Sequence, residues 1–379
     1  MVSRRTSLVS ASKTMELDAK AKEMIKMGED VINLTAGEPD FPTPRPIVEA
    51  AKRFLENGHV KYTDPRGIQE LREKIAQKLK ERYKKDVSAD HVVLTNGAKQ
   101  ALYNAFLALL DPGDEVVVFT PAWVSYIPQI VFVGGEVRIV ETHFEEGFQP
   151  SLSTLKKSIT ERTKVVLVNS PNNPTGVVYR REFMRELVDL ARERNFYVVS
   201  DEVYEPLVYT ENFTSILEVS EDLDKIVYIN GFSKSHSMTG WRVGYVVSSK
   251  EVISAVAKIQ SHTTSCINTI TQYACLEAFN VDTSEMLEEF RRRRDFVIEQ
   301  LRRIGLAFVE PEGAFYVFVK VPGDDVVFCE NLLEKEKVVL VPGSAFLTPG
   351  FVRLSFAVSM EKLAEGMRRI ERFLERFVG

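Results

Sequence analysis

The sequence predicts an α/β protein, with a large domain on a mostly parallel seven-stranded sheet sandwiched by helices and a smaller α+β domain beside it. Three observations carry this. From about Lys61 to Glu277, short β-branched runs alternate with segments of helical period, the pattern of repeated strand–helix–strand units. After about Thr283 the texture changes to one long charge-rich helix, short strands and a closing helix. At 379 residues the chain exceeds what one minimal core serves and suits one large domain plus a smaller one.

The elements follow in chain order. The opening stretch MVSRRTSLVSASKTMELDAKAKEM has basic residues but no apolar signal core, and no run approaches the roughly 18 apolar residues of a spanning helix. A cytoplasmic protein is expected, with no membrane partner. The Pro-rich GEPDFPTPRP, residues 37–46, marks a crossing into the large domain. The expected division is residues 1–45 with 281–379 as the small domain and 46–280 as the large one.

Seven strand candidates come next: HVVLTNG (91–97), DEVVVFTP (114–121), EVRIVET (136–142), TKVVLVNSP (163–171), FYVVSDEVY (196–204), KIVYINGFS (225–233) and RVGYVVSS (242–249). Several are near-continuous apolar runs, as in strands covered on both faces. AKQALYNAFLALL and RREFMRELVDLARERN read as helices between them. The smaller unit holds the helix EEFRRRRDFVIEQLRRI, strands AFYVFVKV, KVVLVP and FVRLSFA, and the closing helix MEKLAEGMRRIERFLERF.

Composition narrows the chemistry. A net charge of −5 leaves no basic footprint for a nucleic acid, which moves small-molecule chemistry up. Cys266, Cys275 and Cys329 form neither a CxxC pair nor a metal pattern, so neither a disulfide framework nor a bound metal is expected. His59, His91, His143, His236 and His262 carry no pattern and read as structural or exposed.

In open α/β sheets, ligands bind beyond the carboxyl ends of the strands. The exits here carry Asn96, Gly97, Ala98 and Lys99; Pro121, Ala122 and Trp123; Asn172, Asn173 and Pro174; Asp201, Glu202 and Tyr204; and Ser233 and Lys234. TNGAKQAL puts a glycine where a strand turns into a helix, so free N–H groups could face an anion, although a plain tight turn explains it as well. No GxGxxG follows the first strand, which argues for a phosphate compound smaller than a dinucleotide. Asp201, after an apolar run, needs a donor or cation to remain ionised where it is buried. Singly, Asp201 reads as a cap and Lys234 as a solvated lysine. Together, an amine nucleophile, a carboxylate, an anion cradle and an aromatic wall are what pyridoxal 5'-phosphate requires.

Several motifs stand in one order: TAGEPDF (35–41), KYTDPRG (61–67), SPNNPTG (170–176), SDEVY (200–204), SKSHSMTGWRVGY (233–245) and FVRLSFA (351–357). They closely resemble the class I aminotransferases of the aspartate aminotransferase fold, the fold type I pyridoxal-phosphate transferases, from about Ser12 to Phe373. The bacterial branch is the most similar. The resemblance implies a ping-pong aminotransferase, with L-aspartate and 2-oxoglutarate as the expected amino donor and 2-oxo acid acceptor. Aromatic, alanine or prephenate-type substrates, or a carbon–sulfur lyase on the same fold, stay open.

By the same resemblance Lys234 would be the Schiff-base lysine and proton carrier, and Asp201 the partner of the pyridine nitrogen. Tyr204 and Asn173 would bond the ring's phenolate oxygen. Gly97, Ala98, Lys99, Ser233 and Arg242 would hold the phosphate. Tyr62 would reach the phosphate of a neighbouring subunit, which implies a homodimer. Trp123 would line the cofactor and substrate face, Arg353 would grip the substrate α-carboxylate, and Gly37 would lend backbone to it. Relatives carry a lysine just before the serine matching Ser12, where this chain has Ala11. Lys13 or Lys99 are the candidates to replace its charge.

Overall fold

The computed structural model describes residues 4–9, 13–58 and 60–377. Among them twelve strands form three sheets. These are β1 (Ile32–Asn33), β2 (Val92–Thr95), β3 (Glu115–Thr120), β4 (Glu136–Glu141), β5 (Thr163–Asn169), β6 (Tyr197–Asp201), β7 (Ile226–Gly231), β8 (Gly244–Ser248), β9 (Tyr316–Lys320), β10 (Val338–Val339), β11 (Val341–Pro342) and β12 (Phe351–Ser355). The large sheet has the order β2-β8-β7-β6-β5-β3-β4. All its neighbours pair in parallel except β8, which runs antiparallel to both β7 and β2.

The apolar runs explain this arrangement. Strands β2, β3, β7 and β8 are buried at every position, because Val- and Ile-rich segments fit a pleated surface covered by helices on both faces. Strand β4, at the sheet's edge, is mostly exposed or half-exposed. The covering helices are amphipathic: Arg181–Arg194 turns Phe183, Met184, Leu187, Val188 and Ala191 inward, and ends at Asn195 with φ +59°, a left-handed cap that asparagine tolerates well.

The smaller sheet has the order β11-β12-β9, all antiparallel. Separately, β1 pairs in parallel with β10, Ile32 opposite Val338, so a segment from near the N-terminus is hydrogen-bonded to one from the C-terminal part. The closing helix Met360–Phe377 buries Leu363, Met367, Ile370 and Phe373, one helical stripe. Each such side chain contributes about 1.5–3 kcal/mol by leaving water.

Strand direction places the site. Strands β2, β3, β5, β6 and β7 end at one edge of the large sheet, and the reversed β8 begins there. Among the described residues no helix is long and apolar enough to cross a membrane, and no cluster of His, Cys, Asp or Glu could hold a metal ion.

Candidate active site

At the end of β6, Asp201 is 4% exposed. Its Oδ2 accepts a hydrogen bond from the Tyr126 hydroxyl at 2.7 Å, and its backbone oxygen accepts from the Asn169 amide at 2.9 Å. Burial pushes its carboxyl up to about 6, against the pull of the Tyr126 hydrogen bond and, more weakly, of Lys234. No ion pair holds Asp201 among the described residues. It is a buried acid held by hydrogen bonds and no cation.

Lys234 follows β7 by three residues, and its Nζ donates to Gly37 O at 2.5 Å. The ammonium stands 5.9 Å from the Tyr204 ring centroid and 5.7 Å from that of Phe315. Burial pushes the amine down to about 8; Glu38 opposes this, while the charge of Arg353 adds to it. A lysine so placed supplies neutral amine far more readily than one in water.

Arg353, in β12, is 3% exposed. It donates through one terminal nitrogen to Asn173 Oδ1 at 2.9 Å and through the other to Thr35 O at 2.8 Å. Its guanidinium carbon lies 4.3 Å from the Tyr316 ring centroid, and its buried Nε–H has no partner. Tyr316 also shares a hydrogen bond with Tyr204, hydroxyl to hydroxyl at 2.9 Å. Asn173, preceding a cis proline, is held by a bond from its N–H to Asn169 Oδ1 at 2.9 Å.

The third component is the start of the helix Gly97–Leu109. Gly97 has φ +77°, and a Cβ there would come within 2.7 Å of the Arg242 guanidinium. Gly244, first residue of β8, lies so close that a Cβ would meet Ala98 N at 2.5 Å. Arg242 itself adopts φ +60°, unusual for a side-chain-bearing residue, and donates to Thr239 O at 2.7 Å and Asn96 O at 3.2 Å. Free N–H groups and a guanidinium thus converge on one spot, a seat for a dianion. Ser233 is buried at the same edge. Lys99 places its ammonium 4.9 Å from the Trp123 ring centroid, and burial lowers its pKa.

The structure therefore gathers Lys234, Asp201, Tyr204, Asn173, Arg353, Gly37, Gly97, Ala98, Lys99, Trp123, Ser233 and Arg242 around one sheet edge. Tyr62 stands apart at 87% exposure. Ala11, Ser12 and His59 lie outside the described residues, as does the side chain of Lys13. Three partners were missed by sequence reasoning. Tyr126 opens a short helix three residues after Trp123 and packs edge-on against its ring at 5.2 Å. Asn169, the last residue of β5, lies at a strand exit and was readable as a site residue. Tyr316 reaches Arg353 only through the β9–β12 register, Arg353 opposite Phe318, which no local spacing discloses.

The family of class I and II aminotransferases matches residues 29–370, and the chain belongs to that family. It is 69% identical over 374 residues to the aspartate aminotransferase of Thermotoga maritima, covering 99% of each chain. It is 46% identical to the aspartate/prephenate aminotransferase of Thermus thermophilus, again over 99% of each. The crystal structure of the Thermotoga aspartate aminotransferase superposes with a TM-score of 0.97, covering 99% of this chain and 100% of that one. The Thermus thermophilus aspartate aminotransferase with maleate gives 0.94 at 45% identity, covering 98% and 99%.

Proposed function

We propose that this chain is an aspartate aminotransferase that moves the amino group of L-aspartate to 2-oxoglutarate, using pyridoxal 5'-phosphate. The observation that carries it is the pairing of a half-buried lysine, its pKa depressed to about 8, with a buried, cation-free Asp201 at one sheet edge. The cradle that a Cβ on Gly97 would fill and the unpartnered Arg353 Nε–H fit the cofactor phosphate and a substrate carboxylate respectively.

When bound, the pyridoxal ring accepts the electron pair released as the substrate Cα loses its proton. Lys234 Nζ would hold the aldehyde carbon and, once displaced by substrate, take the Cα proton. Asp201 would keep a proton on the ring nitrogen, with Tyr126 fixing its carboxylate. Tyr204 and Asn173 would bond the ring oxygen. The Gly97, Ala98 and Lys99 backbone, Ser233 and Arg242 would hold the phosphate, joined by Tyr62 from a neighbouring subunit of a homodimer. Trp123 would cover the ring. Arg353 would take the α-carboxylate of amino or 2-oxo acid, with Gly37 beside it, and Lys99 or Lys13 would supply the cation for a distal carboxylate.

A donor screen against 2-oxoglutarate tests the substrate. Aspartate should exceed alanine and phenylalanine in kcat/KM by about a hundredfold, and the half-reaction with aspartate alone should yield oxaloacetate and the aminated cofactor. A faster aromatic donor, or release of ammonia and pyruvate from an amino acid alone, would overturn the assignment. Three relatives named for aspartate and prephenate favour including prephenate as a second acceptor in the same screen.

A further inference from the structure

Glu205 lies four residues beyond Asp201, is 7% exposed, and has no role in the chemistry above. Its Oε1 accepts from the Tyr83 hydroxyl at 2.5 Å and pairs with Arg82 at 2.6 Å, both at the end of the helix Gln69–Tyr83. Its Oε2 accepts from the Tyr228 hydroxyl at 2.8 Å and from Asn230 Nδ2 at 2.6 Å, both in β7. Asn230 in turn accepts the Gly231 N–H on its Oδ1 at 2.7 Å. One carboxylate therefore joins the loop leaving β6, the last residues of β7 and a helix end.

Burying a carboxylate costs several kcal/mol, recovered only when its lone pairs are filled. Leucine would glue a helix to a sheet without that cost. What apolar packing does not supply is a fixed distance and direction between two particular loops. The two segments joined here are the exit of β6, with Asp201 and Tyr204, and the end of β7, which leads into Lys234; these are three residues that must meet one ring.

We infer that Glu205 is a positioning residue that sets the spacing of Lys234 from Asp201 and Tyr204, acting through Asn230. The inference rests on the assignment of Lys234 as the Schiff-base lysine. Beyond its four partners, the charged or titratable groups around Glu205 are Lys78, Glu202 and Tyr245, with His236 lining the same small cavity.

The test compares Glu205→Ala, Glu205→Gln, Asn230→Ala and Tyr83→Phe in the cofactor-loaded enzyme. One readout is the midpoint of the absorbance titration of the lysine-linked chromophore. A second is hydrogen exchange at the Phe232 amide, which donates to Val243 O across the mouth of the Lys234 loop. Glu205→Ala and Asn230→Ala should move the midpoint by at least about half a pH unit. They should speed exchange about tenfold and lower kcat about tenfold with KM within about threefold. Glu205→Gln, which keeps an acceptor for Tyr83 and Arg82, should recover part of the loss. Tyr83→Phe, which cuts only the helix side, should lower thermal stability, leave the midpoint where it is and keep kcat within about twofold.

If Glu205→Ala does not fold, Asn230→Ala and Glu205→Gln decide the matter. Wild-type midpoints and kcat in both, or equal effects from Tyr83→Phe and Asn230→Ala, would overturn the inference. An absence of any borohydride-trappable chromophore in the wild type would instead refute the functional assignment.

Discussion

Replacing Arg353 with lysine probes the proposed substrate grip most directly. Two of the arginine's N–H donors are occupied, by Asn173 Oδ1 and Thr35 O. Nε–H and one hydrogen on each terminal nitrogen remain, and Nε is buried without a partner. A substrate carboxylate supplies the acceptors through two charge-assisted bonds of about 1.5–3 kcal/mol each. Lysine retains a charge but loses the planar fork and the contact with the Tyr316 ring, at 4.3 Å in the native chain. A net loss of about 3–4 kcal/mol follows, or roughly two to three decades in kcat/KM. Oxaloacetate formation, coupled to NADH oxidation, measures it for aspartate. β-Alanine, which is aspartate without its α-carboxylate, should lose no more than about threefold from its already low rate. Equal losses for both substrates, or a loss for aspartate below about fivefold in a folded variant, would refute the role of Arg353.

Two further outcomes are expected. Asp201→Asn retains an acceptor for the Tyr126 hydroxyl and removes the charge, so kcat should fall at least about a hundredfold while KM stays within a few-fold; stopped-flow half-reactions that show chemistry slowed less than tenfold would contradict this. Glu202, fully buried, accepts from Ser200 Oγ and Ile216 N–H, each at 2.8 Å, while its Oε2 has no partner. Burial, with Glu205 adding, pushes its carboxyl up from 4.5 to about 8. Between those values the folded chain holds a proton that the unfolded chain has released, so this group's contribution to stability declines as pH rises through the window. Glu202→Gln removes the titration, and its denaturant-derived stability relative to wild type should climb from pH 5 to pH 9; a flat difference curve would show that Glu202 does not titrate there.

Much of this was legible in the chain. The apolar runs at residues 92–95, 115–120 and 226–231 are strands because continuous Val and Ile suit a sheet covered on both faces, and the exits were readable as the site for the same reason. Arg353 was not readable from local pattern: an arginine on a strand is ordinarily solvated, and here the Tyr316 and Phe346 rings, Asn173 and the Thr35 carbonyl, all distant in sequence, enclose it. The reversal of β8 also escaped, because an apolar strand reads alike in both directions. The Glu205 contacts span separations of 23 to 123 residues, so they depend on tertiary placement alone.

That reversal has a consequence for how the enzyme can change. Gly231 and Gly244 are ladder partners, so the twelve residues between them form a closed ring that contains both Lys234 and Arg242. A rigid displacement of the β9–β11–β12 sheet alters the distance from Arg353 to Lys234 and leaves the spacing of Lys234 and Arg242 untouched. On the proposed roles of these residues, cofactor anchorage and acid selection are then separately adjustable. Substitutions beneath Arg353 can retune the accepted acid without loosening the ring, while an insertion within the ring would be expected to disturb both of its ends together.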